Sequence, residues 1–136
     1  MTETENISNL IYEKILSNKD SLLNEWNNPQ GVRTKHLIIE NLLPERLCKN
    51  IYDLFPGNLE GFHFRNSFRE RKKTSANMNI YDKKLNSTLY AFQDKKIIEL
   101  ISEITKIYNL EPDKKLYAGG LSIMGKGDFL NPHIDN

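Results

Sequence analysis

The chain has 136 residues, 38% of them hydrophobic, with 19 basic against 18 acidic residues and a net charge of +1. That length holds one folded domain with a real core rather than two, and so balanced a charge excludes a global field that would draw it to nucleic acid or an anionic membrane. A single cysteine, Cys48, excludes an intrachain disulfide, "MTETENISNL" lacks the basic-then-apolar pattern of a secretory leader, and no apolar run approaches the roughly 20 residues that cross a bilayer, so a cytoplasmic protein is expected.

From Ile7 to Trp26 the apolar residues Ile7, Leu10, Ile11, Ile15, Leu22, Leu23 and Trp26 recur near helical spacing. The break at "SNKDS" predicts one interrupted helix or two short ones. "NNPQG" at 27–31 is turn chemistry and the best internal boundary, which makes 1–33 an N-terminal helical segment. In "TKHLIIENLLPERLCKNIYDLFPG" a short apolar run predicts a strand over 37–39, followed by a helix that Pro44 opens and Pro56-Gly57 ends. Its apolar face would hold Leu47, Cys48, Ile51, Leu54 and Phe55, with Cys48 as a small core residue.

Between 57 and 89 the pattern weakens. "GFHFRNSF" predicts a short strand with Phe62 and Phe64 on one face and His63 and Arg65 on the other, and "ANMNIY" a second strand. The intervening "RERKKTS" is expected to be a solvated polar connection. A helix over 94–108 is the clearest element, with Asp94 as N-cap and Ile97, Leu100, Ile101, Ile104, Ile107 and Tyr108 on one stripe. "LYAGGLSIMGKGDFLNPHIDN" predicts strands over 121–124 and 129–135, joined by the turn "GKGD".

On that last strand His133 and Asp135 would share a face, their backbones about 7 Å apart. An imidazole nitrogen and a carboxylate oxygen so placed can converge on one divalent ion, and they are two of the three groups of a 2-His-1-carboxylate triad. The spacing alone is weak: an HxD pair arises by chance in about one chain in seven of this composition, and a surface His-Asp hydrogen bond is the plain alternative.

Two stretches resemble the Fe(II)- and 2-oxoglutarate-dependent oxygenases, particularly the prolyl-4-hydroxylase-like branch. "LIIENLLPERLCKNIYDLF" is similar to the opening of that domain, and "LSIMGKGDFLNPHID" to the first two strands of its double-stranded β-helix. The resemblance covers 37–136. It implies an α+β fold, with N-terminal helices packed on the first strands of an incomplete double-stranded β-helix, or jelly roll. It makes 34–136 the N-terminal part of an oxygenase domain, truncated after the HxD motif. It further implies Fe(II) as cofactor, 2-oxoglutarate as co-substrate and O2 as oxidant for a C–H bond, with His133 and Asp135 as metal ligands. Where the family often has a Tyr nine residues before the His, this chain has Met124.

The family's third ligand, a later His, and its basic co-substrate residue have no counterpart in these 136 residues, because His36 and His63 both precede the pair. A fragment or prematurely ended oxygenase, inactive alone, is therefore expected, with no catalytic residue assigned and open strand edges that invite self-association. The substrate would be a small molecule or a protein side chain, with no membrane involved. Two alternatives stand beside it: a non-catalytic binding module derived from the same fold, and an anion- or nucleic-acid-binding protein that uses Arg65, Arg69, Arg71, Lys72 and Lys73. The balanced charge and the lack of aromatics interleaved in "RERKKTS" weigh against nucleic acid.

Overall fold

In a computed structural model, which describes residues 1–31, 33–117 and 119–134, Thr2 opens the first helix with a reciprocal cap. Its hydroxyl accepts from the Glu5 amide at 3.2 Å, and the Glu5 carboxylate accepts from the Thr2 amide at 2.6 Å. The helix, α1 (Glu3–Ser17), ends at Asn18, which also starts α2 (Lys19–Asn27), so the interruption at "SNKDS" yields two helices. Ile7, Ile11 and Ile15 fall four residues apart on one stripe and are buried, with Leu22 continuing the same core from α2.

The rest of that core comes from far along the chain. Asp94 caps α5 (Lys95–Thr105), whose Ile97, Leu100 and Ile104 are buried against α1, together with Ala91 from the end of α4 (Lys83–Ala91). One oxygen of Asp94 accepts from the Lys96 amide at 3.1 Å, and the other accepts from the fully buried Ser8 hydroxyl at 2.8 Å. A single carboxylate thus caps α5 and fastens it to α1. Helix α5 stops at Thr105 because Lys106 takes the left-handed conformation, with φ 58°. Ile107 and Tyr108, expected on the buried stripe, are therefore exposed.

Three further expectations are corrected. Residues 37–39 form no strand; Leu37 and Ile39 pack against the helical core and Ile38 is exposed, so the alternation survives without a ladder partner. Helix α3 (Glu45–Leu54) follows Pro44 as expected, but Cys48 lies on its exposed side, near the Leu43 carbonyl rather than in a core. "ANMNIY" forms a 3-10 turn over Met78–Ile80, which sends Met78 into a second core with Leu85, Leu116 and Leu121.

The largest correction concerns "RERKKTS". Instead of a loop it supplies β2 (Glu70–Ser75), the central strand of an antiparallel sheet, paired on one side with β1 (His63–Asn66). Its other side takes β3 (Leu121–Ile123) and β4 (Phe129–Leu130) in turn, β3 against Lys73 to Ser75 and β4 against Glu70 and Arg71. Strands β3 and β4 therefore lie end to end on one edge of β2. The "GKGD" stretch is a five-residue bulge, 124–128, opposite the single residue Lys72, rather than a hairpin turn between paired strands. Gly120 immediately precedes β3, with φ +104°, and a Cβ there would fall 2.3 Å from the Ser75 carbonyl oxygen. Only glycine lets the two backbones approach that closely.

The described residues form a mixed helix-and-sheet protein, α+β in class, with one helical core and a second core under one end of the sheet. Among them no helix is long and apolar enough to cross a membrane.

Candidate functional site

Strand β4 is shorter than the sequence predicts, with regular pairing only at Phe129 and Leu130. Its line continues for one more residue: the Asn131 amide donates to the Arg69 carbonyl at 2.7 Å, and the Asn131 side-chain amide donates to the Phe68 carbonyl at 2.6 Å. These bonds pin the chain just before His133, which is exposed and outside regular structure. Its Nδ1 lies 2.7 Å from the Asn131 carbonyl oxygen. A carbonyl oxygen only accepts, so Nδ1 carries a proton, and Nε2 is the ring nitrogen that could ligate a metal when the ring is neutral. Asp135, the other half of the pair, lies outside the described residues.

Close to His133 stands a carboxylate that sequence inspection passes over. Glu70, at the start of β2, accepts from the Lys72 ammonium at 2.6 Å and faces the Arg65 guanidinium at 4.0 Å. The hydrogen bond from Lys72 holds its carboxyl below the usual 4.5 against the opposing effect of desolvation, and the charges of Lys72, Arg65 and His133 act in the same lowering direction. Glu70 and Lys72 are two residues apart on a strand and share a face, a relation invisible while "RERKKTS" is taken for a loop.

The opposite face of β2 carries a second ionic group. Asp128, whose side chain is only 7% exposed, lies 3.6 Å from Arg71 and 3.9 Å from Lys73, and it accepts from the Gly125 amide at 2.8 Å. Asp128 closes the turn with Gly125 in both directions, since its own amide also donates to the Gly125 carbonyl at 3.0 Å. The five basic residues of the 65–73 stretch are thus split between the two faces and the adjoining turn, where Arg69 stacks on Phe68 with 5.6 Å to the ring centroid.

The other two histidines are placed elsewhere. His36 sits beside Glu25 of α2, with its Nδ1 3.0 Å from the Thr34 carbonyl oxygen, and His63 is an exposed residue of β1 opposite Thr74. Among the described residues no three His, Cys, Asp or Glu side chains gather as a metal-binding group. Compared with known proteins, the chain matches no family model, no curated sequence and no solved structure.

Proposed function

We propose that these residues are the N-terminal part of an Fe(II)- and 2-oxoglutarate-dependent oxygenase, with the sheet as the beginning of a double-stranded β-helix and His133 and Asp135 as two of its metal ligands. The observation that carries this reading is the His133 Nδ1–H bond to the Asn131 carbonyl. Histidines that ligate metals commonly donate the second ring nitrogen to a carbonyl or carboxylate, which sets the tautomer and aims the ligating atom. The order of motifs supports it: an apolar segment and a Pro-opened helix near the start, then "LSIMGKGDFLNPHID" at the end of an antiparallel ladder.

When bound with 2-oxoglutarate and O2, iron in such a site supplies the oxidising power to hydroxylate a C–H bond. The part played by this chain is positional. The Asn131 bonds to the Arg69 and Phe68 carbonyls fix the approach of His133, whose Nε2 would be one metal donor, and the Asp135 carboxylate would be the second. A third protein ligand and a basic residue for the co-substrate have no counterpart among these 136 residues, so the chain alone holds a metal weakly and turns nothing over. The outer edge of β1, unpaired among the described residues, would seek further strands or a second copy.

Anaerobic titration with Co(II), a spectroscopically visible stand-in for Fe(II), tests the reading in the isolated chain. Weak binding lost in both His133→Ala and Asp135→Ala is expected, with no 2-oxoglutarate decarboxylation. Equal binding by all three proteins, or turnover that survives His133→Ala, would sink it.

A further inference from the structure

One face of the sheet combines cations with open aromatic rings, and the oxygenase reading makes no use of it. The strand register puts Phe64 opposite Lys73 and Asn66 opposite Arg71 on one side of β2, and Ile123 opposite Lys73 and Phe129 opposite Arg71 on the other. Directly opposed residues share a face, so two rows run across the sheet: Phe64–Lys73–Ile123 and Asn66–Arg71–Phe129. Phe64 is 54% exposed and Phe129 37%. The Arg71 guanidinium and the Lys73 ammonium lie 5.9 and 5.7 Å from the centroid of the Phe64 ring. In sequence "RERKKTS" has no aromatic neighbour between its charges; the pairing of three strands supplies them.

The geometry suits a chain of bases and phosphates. With strands about 4.8 Å apart and alternate residues about 6.8 Å apart along each, the backbones of Phe64 and Phe129 stand diagonally roughly 12 Å from each other, with Arg71 and Lys73 on the strand between them. That separation matches about two steps of an extended single strand. The single Asp128 carboxylate faces both cations, so the three groups together keep a net positive charge, and Arg69 on Phe68 adds another at the adjoining turn. Toward Ser75 and Leu121 the same face passes into the buried core, which limits the open surface to the rows just described. A duplex would offer its phosphates but hide its base faces from the rings, and an acidic peptide would engage the cations alone.

We propose that this face is a docking surface for single-stranded nucleic acid, with bases stacking on Phe64 and Phe129 and phosphates meeting Arg71 and Lys73. The two forces divide in a testable way. Stacking on an aromatic side chain is insensitive to salt and is lost with the ring, at about tenfold in affinity per base, whereas phosphate contact weakens steeply as salt rises.

The test is fluorescence anisotropy of the whole chain with labelled oligo-dT and oligo-U of about 12 nucleotides, the matching duplex and polyglutamate, over a salt series. Expected are binding of the single strands that weakens with salt, a loss of tenfold or more in Arg71→Glu/Lys73→Glu, and a loss of about tenfold in both Phe64→Leu and Phe129→Leu. These leucines keep an apolar side chain at exposed positions, so circular dichroism should match the parent. Asp128→Asn should tighten binding, because it removes the carboxylate that competes with phosphate. No binding at low salt would overturn the proposal, as would affinity unchanged by the leucine variants or equal affinity for duplex or polyglutamate. The metal titration is independent of either outcome.

Discussion

The helical core and the sheet are built on opposite principles. Around α1 the stripe of Ile7, Ile11 and Ile15 is sealed by Leu22, Ala91, Ile97, Leu100 and Ile104, and the buried Ser8 hydroxyl among them donates to Asp94. In the sheet every residue of β1 is exposed, and four of the six residues of β2 are charged. Backbone ladders hold those strands, while the charged ends of Arg71 and Lys73 lie near both the Phe64 ring and the Asp128 carboxylate. A helix announces itself by the stripe it buries. A strand with open faces needs no such stripe, so its sequence can be that of a loop.

The largest expected effect breaks the helical side of this contrast. Ile11 is wholly buried, and Ile11→Ala should cost about 3–4 kcal/mol through lost transfer energy and a residual cavity. Measured by urea unfolding, a loss under about 1 kcal/mol would mean that the helical core is far more plastic than its packing implies. Next comes the junction of sheet and second core. Gly120→Ala sets a Cβ against the Ser75 carbonyl oxygen at a positive φ, and strain of about 1–3 kcal/mol is expected. Hydrogen exchange should quicken at 73–75 and 121–123 while α1 and α5 keep their protection. Uniform loss of protection would instead make the two regions one cooperative unit.

A third variant cuts the tie between elements distant in sequence. Asp94→Ala removes both the cap of α5 and the acceptor of the Ser8 hydroxyl, at about 1–2 kcal/mol by thermal or urea unfolding, whereas Asp94→Asn should recover part of the loss by still accepting from the Lys96 amide. Here the sequence was half legible. Asp94 is readable as a cap because a polar residue precedes an apolar period; its grip on Ser8, 86 residues away, is a tertiary fact no local pattern contains. The same division explains the rest. Helices α1, α2, α3 and α5 follow from apolar spacing, and β1 from alternation, but α4, with Leu85, Ser87, Thr88 and Ala91 as its buried side, has too mixed a face to be picked out. β2 was hidden because lysine and arginine resemble a solvated turn until a pairing partner is known. His133 was found by its motif, while Glu70 and Asp128 needed the register before their relation to His133, Arg71 and Lys73 could be seen.

The smallest effects come from two ion pairs at the surface, one exposed and one half-buried, and pH separates the two regions through them. In the sheet the Glu70 carboxyl is lowered chiefly by its hydrogen bond from Lys72; between the helices the Glu103 carboxyl is lowered chiefly by its hydrogen bond from Lys19 at 2.5 Å. Each group ionises more readily in the fold than in the unfolded chain, so its contribution is present above the ordinary 4.5 and is lost as pH falls through the lowered value. Lys19 runs the other way: raised above 10.5, it stabilises below that pH and ceases to do so as pH rises through its folded value. A chain with both pairs should therefore weaken modestly at each end of the scale in thermal unfolding. Glu70→Gln should flatten one part of the acid limb and Glu103→Gln another, together with the alkaline limb assigned to Lys19, while the Glu5 carboxyl, lowered by the Thr2 amide, keeps its share of the acid limb. If Glu103→Gln leaves the alkaline limb intact, the Lys19 pair does not link α2 to α5 in solution, and the helical region rests on its apolar core and the Asp94 cap alone.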